Sequence, residues 1–194
     1  FRSLATHLLP EILVKFRQRF PNIKVTITEF EEWTELEQAL QQGNADISLS
    51  DLLNPNDFDS FELLRDEYVV LLPPNTVIHQ ETKTLTWEEL AQFPLILPNS
   101  QSCSRYIEPY VQQEKVPLEV AYRIRGDSTM ISLVKQGLGA AILPRLAAEP
   151  IPETIHACNL PIPLERVIYA AMRKDALHTP ATYAFLETLR AFKH

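Results

Sequence analysis

The chain has 194 residues, 45% of them hydrophobic and 22% charged, with a formal net charge of −7. That is ordinary globular material, enough for one large core or two modest ones. It contains no apolar run long enough to span a membrane, and its acidic balance argues against this piece gripping DNA or RNA by itself, because phosphate binding needs a basic face. The opening residues lack the charged start and apolar stretch of a signal peptide and read as the tail of a strand, which suggests a fragment of a longer protein. Cys103 and Cys158 form no motif. Such sparse cysteine suits a reducing cytoplasm and predicts no structural disulfide.

Leu9, Ile12, Leu13, Phe16 and Phe20 recur at helical spacing and predict a helix over about 5–20, with Pro10 near its start and Pro21 as its stop. Lys15, Arg17 and Arg19 fall near its end, where cations suit the helix dipole. Ile23, Val25 and Ile27 then alternate with Lys24, Thr26 and Thr28, the pattern of a strand with one buried face. Thr34 and Glu37 read as a capping box for a helix whose Leu36, Ala39 and Leu40 face inward and which Gly43 closes. A buried strand is expected over 46–50, a loop over 54–59, and two strands over 61–64 and 68–72.

Pro73 and Pro74 punctuate the chain, and the pattern restarts beyond them. Thr86 and Glu89 make a second capping box, on a short helix through Phe93. A strand over 95–97, a helix over 102–115, a strand over 119–124 and a helix over 128–136 follow, the last ended by Gly137. Residues 140–143 form a small-residue strand stopped by Pro144. A proline-rich stretch (Pro150, Pro152, Pro161, Pro163) leads to a strand over 167–172 and a closing helix over about 179–192.

This order predicts an α/β fold of two α/β subdomains with a cleft between them. One comprises residues 1–73 plus 165–194 and the other 74–164, with crossovers near Pro73 and Leu164. Clefts at domain junctions, and the points where strand ends meet helix starts, are preferred ligand sites. A small-molecule binder is therefore the first functional reading.

Candidate binding residues are those at such junctions. Arg2, Ser3 and Thr6 are expected where a first strand joins the first helix; backbone N–H groups at a helix start attract anions, and hydroxyls add donors. The plainer alternative is that Ser3 caps the helix and Arg2 is solvated. The polar run Pro98, Asn99, Ser100, Gln101, Ser102, Cys103, Ser104 precedes a helix and suits a carboxylate cradle, although Ser and Asn favour ordinary capping loops as well. Cys103 sits where a thiol pKa falls, but a plain small residue is the simpler reading. Asp127 is a natural N-cap, and Asp51 beside Ser50 is either an amine or arginine partner or a solvated loop acid. The histidines His7, His79, His156, His178 and His194 show no metal-ligand spacing. Glu29, Glu31, Glu32, Glu35 and Glu37 read as a solvated acidic face. No nucleophile elbow, phosphate loop or catalytic carboxylate pair occurs, and only four glycines are present, so no enzyme, metal or cofactor is expected.

Several stretches in order resemble the effector-binding domain of LysR-type transcriptional regulators. They are Leu8-Leu9-Pro10 followed by 16–21; then 40–47, containing Gly43, Asn44, Ala45 and Asp46; 66–73; Pro94-Leu95-Ile96; and 133–144, containing Gly137, Gly139 and Pro144. The resemblance covers nearly the whole chain. It implies a type 2 periplasmic-binding-protein-like fold used as a cytoplasmic sensor of a small-molecule effector, with DNA bound only through an N-terminal winged helix-turn-helix that this chain does not contain. It places Ser3 and its junction toward the effector, with Ser100, Gln101 and Ser102 across the cleft. Ser128 and Thr129 border the cleft as secondary candidates. It further implies a homodimer or homotetramer through the first helix and the second lobe of a neighbour, without membrane contact. Donor-rich helix starts plus Arg2 make a small anionic metabolite the expected effector. The alternative on this fold is a solute-binding protein of a transport system.

Overall fold

The computed structural model describes residues 2–30, 32–51, 56–77, 83–99, 101–113 and 116–192, with 101–104 described by backbone alone. Among the earlier expectations, those resting on Glu31, Asn54, His79, Ser100, Lys115 and His194 lie outside the described residues. In chain order the elements are α1 (Arg2–His7), α2 (Leu9–Arg19), α3 (Trp33–Gln41), β1 (Ser48–Ser50), β2 (Phe58–Leu72), α4 (Trp87–Leu90), β3 (Leu95–Pro98) and α5 (Gln101–Gln112). They continue with β4 (Val120–Ile124), α6 (Asp127–Lys135), β5 (Ala140–Pro144), α7 (Arg145–Ala148), β6 (His156–Asn159), β7 (Glu165–Arg173) and α8 (Pro180–Ala191). Two compact units result: Phe1–Arg65 with Val167–His194, and Asp66–Arg166. The chain passes between them within β2 and within β7.

In the first unit, Leu4, Leu8, Ile12 and Phe16 repeat every four residues and are all buried, forming one stripe through α1 and α2. The expected single helix is broken at Leu8, because Pro10 has no N–H to donate to the carbonyl of Thr6 and its ring crowds that carbonyl. Phe16 meets Phe185 of α8 edge-on at 4.9 Å. α3 begins at Trp33, with Glu32 in the N-cap position and no side-chain cap. Thr34 thus sits inside the helix, and the capping box expected there does not form. Gly43 takes a left-handed φ of 74°, and the N–H groups of Asn44 and Ala45 bond the Ala39 carbonyl. That turn delivers the chain to β1, which pairs antiparallel with β7, Ser48 opposite Ala171 and Ser50 opposite Tyr169. Leu40, Phe58 and Ala171 close a small core here. Residues 24–28, expected as a strand, pair with no strand among the described residues.

The second unit is a mixed sheet with helices on both faces. β3 runs parallel to β4 and β5, while β2 runs antiparallel to β5 and β6. Alternation along these strands sorts two cores. Val70, Leu72, Leu95, Leu97 and Ile142 pack with Ile107 and Tyr110 of α5. Val69, Leu71, Ile96, Ala141 and Leu143 pack with Met130 and Val134 of α6. Each fully buried aliphatic side chain contributes roughly 2 kcal/mol. Thr86 accepts from the Glu89 N–H and Glu89 from the Thr86 N–H, forming the expected capping box.

β2 is one strand where two were expected, because residues 65–67 stay extended. There Asp66 accepts two hydrogen bonds from the buried Arg166, at 2.8 and 3.0 Å, and a third from the Leu146 N–H at 3.0 Å. Glu67 pairs with Arg145 at 2.7 Å. These contacts hold α7, an element with no clear periodicity in the sequence, against β2.

Candidate functional site

In the second unit the parallel pairing of β3 and β4 decides where the candidate loops lie. Pro98 stands opposite Ile124, and the Asn99 N–H bonds the Ile124 carbonyl at 2.9 Å. Both strands therefore end together at one edge of the sheet. α5 starts at Gln101 just beyond β3, and α6 starts at Asp127 just beyond β4. Gln101, Ser102, Ser128 and Thr129 are thus brought to one edge although some 26 residues separate the pairs in sequence. Ser100 lies outside the described residues.

The two helix starts differ electrostatically. The first turn of α5 contains no acid. The first turn of α6 contains Asp127, which itself complements the positive end of the helix dipole. Gly126, not Asp127, occupies the N-cap, so Asp127 acts through its charge and not as the expected cap. Ser128 and Thr129 are exposed, and neither hydroxyl is engaged in a hydrogen bond among the described residues. An anion at this edge would meet backbone amides of both starts and the exposed hydroxyls of Ser128 and Thr129, with the α5 end favoured by charge. Arg123 of β4 pairs with Glu108 of α5, fixing the helix against the strand that carries the second loop.

In the first unit Arg2, Ser3 and Thr6 all lie within α1, with helical backbone already established at Arg2. Ser3 is buried and Thr6 exposed. Arg2 is exposed and lies 4.0 Å from the Glu29 carboxylate, a solvated pair of small energetic weight. Ser50 ends β1 as a buried residue, with Asp51 half-buried beyond it. Burial raises the Cys158 thiol pKa above its ordinary value; the Lys83 charge opposes this to a lesser degree, and the Glu89 carboxylate adds to it. That thiol sits inside the sheet where β6 meets β2 and is poorly nucleophilic. His178 places Nε2 2.8 Å from the Arg173 carbonyl. Among the described residues no group of three or more His, Cys, Asp or Glu side chains is arranged to hold a metal ion.

The model of the LysR substrate binding domain matches residues 1–193. The chain belongs to that family. A probable HTH-type transcriptional regulator LrrA of Synechococcus elongatus is 49% identical over 190 residues, covering 98% of this chain and 64% of the relative. The chain thus spans about two thirds of the length of that LysR relative. Among solved structures, the effector binding domain of QuiR in complex with shikimate superposes with a TM-score of 0.79 at 19% identity, covering 96% of this chain and 90% of that one. The CcmR regulatory domain of Synechocystis PCC6803 in complex with 2-PG gives 0.80 at 18% identity, covering 97% and 92%. These likenesses establish the LysR effector-domain fold of the type 2 periplasmic-binding-protein kind. The relatives are named transcriptional regulators, which are not enzymes, and the transport reading is not favoured. No helix among the described residues is long and apolar enough to cross a membrane.

Proposed function

We propose that this chain is the effector-sensing domain of a cytoplasmic LysR-type transcriptional regulator, and that its effector is a small anionic metabolite. The sensing role rests on the match of residues 1–193 to one family model, together with a 49%-identical relative named as a regulator. The anion rests on the paired helix starts beyond β3 and β4 and on the ligands, shikimate and 2-PG, named for QuiR and CcmR. Ser100, Gln101, Ser102, Ser128 and Thr129 are the proposed contacts from the second unit, and Ser3, Thr6 and Arg2 those from the first. Binding biases an equilibrium between assembly states already present, which alters how DNA is held by a separate domain of the full-length protein. The domain itself, at −7, repels phosphate backbones.

Titrating carboxylic acids and phosphate esters, shikimate among them, against thermal unfolding tests this. A fitting acid at a hundred times its Kd stabilises the fold by about 2.7 kcal/mol. The Ser102→Ala and Ser128→Ala variants bind it about tenfold or more weakly, as expected when a hydrogen bond to a charged group is lost. Stabilisation by cationic or wholly apolar compounds alone refutes an anionic effector.

We also propose that the assembly is a head-to-tail dimer or a tetramer built from such dimers, in which α2 of one copy packs on the second unit of its neighbour. Val14 of α2 is 58% exposed, and the edge strand β4 carries the exposed Tyr122. Light scattering should give a dimer or larger for the native chain, and Val14→Glu should weaken association at least about tenfold. A native monomer at high concentration contradicts this arrangement.

A further inference from the structure

Arginines gather at the edge of the second unit's sheet where β3, β4 and β5 end. Arg105 lies one turn into α5, the helix after β3; Arg125 directly follows β4, and Arg145 directly follows β5. Tyr68 of β2 marks the same edge, because it stands opposite Pro144, the last residue of β5. Two arginines here are bound to acids, Arg145 to Glu67 at 2.7 Å and Arg166 to Asp66 at 2.8 Å. Arg105 is held by an aromatic ring. Its guanidinium carbon lies 4.8 Å from the centre of the Tyr106 ring, and its Nη2 donates to the Tyr106 hydroxyl at 3.3 Å. Tyr106 in turn packs on the buried Tyr68, the ring centres 6.1 Å apart. Arg105 and Tyr106 are themselves half-buried.

A long side chain on a helix lies back over the turn that precedes it, so Arg105 covers the first turn of α5. A guanidinium is a planar fork of N–H donors that matches the two oxygens of a carboxylate or phosphate. Stacking on an aromatic ring engages the face of that fork and not its donor edge, and it fixes the orientation in advance. Building on the anionic effector proposed above, we propose that Arg105 grips the effector's acid group through a two-pronged hydrogen bond over the first turn of α5. Tyr106 is the positioning residue, holding the guanidinium between its own ring and the start of the helix. The effector on this account is a carboxylate or phosphate that presents two oxygens on one face. The α5 amides meet the same group from below, and Ser128 and Thr129 of α6 meet the rest of the molecule.

Titration with succinate, shikimate and inorganic phosphate in turn, to tens of millimolar, tests this, with arginine Nε–H and backbone amide resonances as the readout and sodium chloride as the control. The expected result is a saturable shift of the Arg105 Nε–H, together with the amides of Ser102 and Ser128, for at least one of the three. Arg105→Lys keeps the charge but loses the fork, and should bind that anion about tenfold more weakly. Tyr106→Phe keeps the ring but loses the hydroxyl, and should bind it about threefold more weakly. Native affinity in Arg105→Lys overturns the grip and leaves the anionic effector standing. Shifts at Ser102 and Ser128 with the Arg105 Nε–H unmoved do the same. If none of the three anions moves any of these resonances, the anionic reading falls and the role of Arg105 falls with it.

Discussion

The Arg166→Met variant is expected to lose about 3–5 kcal/mol of unfolding free energy, because it strands a buried carboxylate. Arg166 and Asp66 have side chains only 2% and 4% exposed, and the guanidinium supplies two of the hydrogen bonds that Asp66 accepts. Without it the charge of Asp66 retains only the Leu146 N–H among the partners described above. Adding Asp66→Asn removes the charge but keeps a carbonyl for Leu146, so the double variant should recover about 1–2 kcal/mol relative to Arg166→Met alone. Urea unfolding at neutral pH measures both. A loss under about 1 kcal/mol for the single variant would mean that the pair is not desolvated as its burial indicates.

Gly139→Ala should be nearly as damaging, with a loss of about 3 kcal/mol, and is expected to accumulate as insoluble protein. Gly139 has a φ of 151°, and a Cβ there would lie 2.1 Å from the Pro94 carbonyl oxygen. That oxygen accepts the Ala140 N–H at 2.9 Å, so relieving the clash means opening the junction of β3 and β5. Gly137→Ala is the control. Its φ is 79°, but a Cβ there meets nothing within 4 Å, so its cost should stay near 1 kcal/mol. Thermal unfolding of the two variants separates steric collision from backbone preference, and equal losses would discount the collision.

Local chemistry made much of the fold legible. The Thr86–Glu89 box, the turns at Gly43 and Gly137, and the closing helix α8 follow from residues within a few positions of one another. Features depending on distant partners were not legible. Asp66 and Arg166 are a hundred positions apart, and nothing near either one announces a buried pair. α7 and β6 are four residues each, too short for a periodicity to show. Thr34 and Glu37 have the right spacing for a box, yet the N-cap falls at Glu32, two residues earlier, and spoils it. At the candidate site, the polar run after β3 and the hydroxyls after Asp127 are visible as composition. That they share an edge depends on the parallel register of Pro98 with Ile124, which no local motif encodes.

The division of the chain also orders its biosynthesis. The second unit is a single uninterrupted stretch, Asp66–Arg166, whereas the first is assembled from sequence on either side of it. During translation the later unit has all its strands in hand before β7 and α8 have been made. The earlier one must wait, with Phe16 and β1 uncovered, until those elements arrive. Vectorial synthesis thus leaves α1, α2 and β1 as the last elements of this domain to be fully packed, their partners arriving only with β7 and α8.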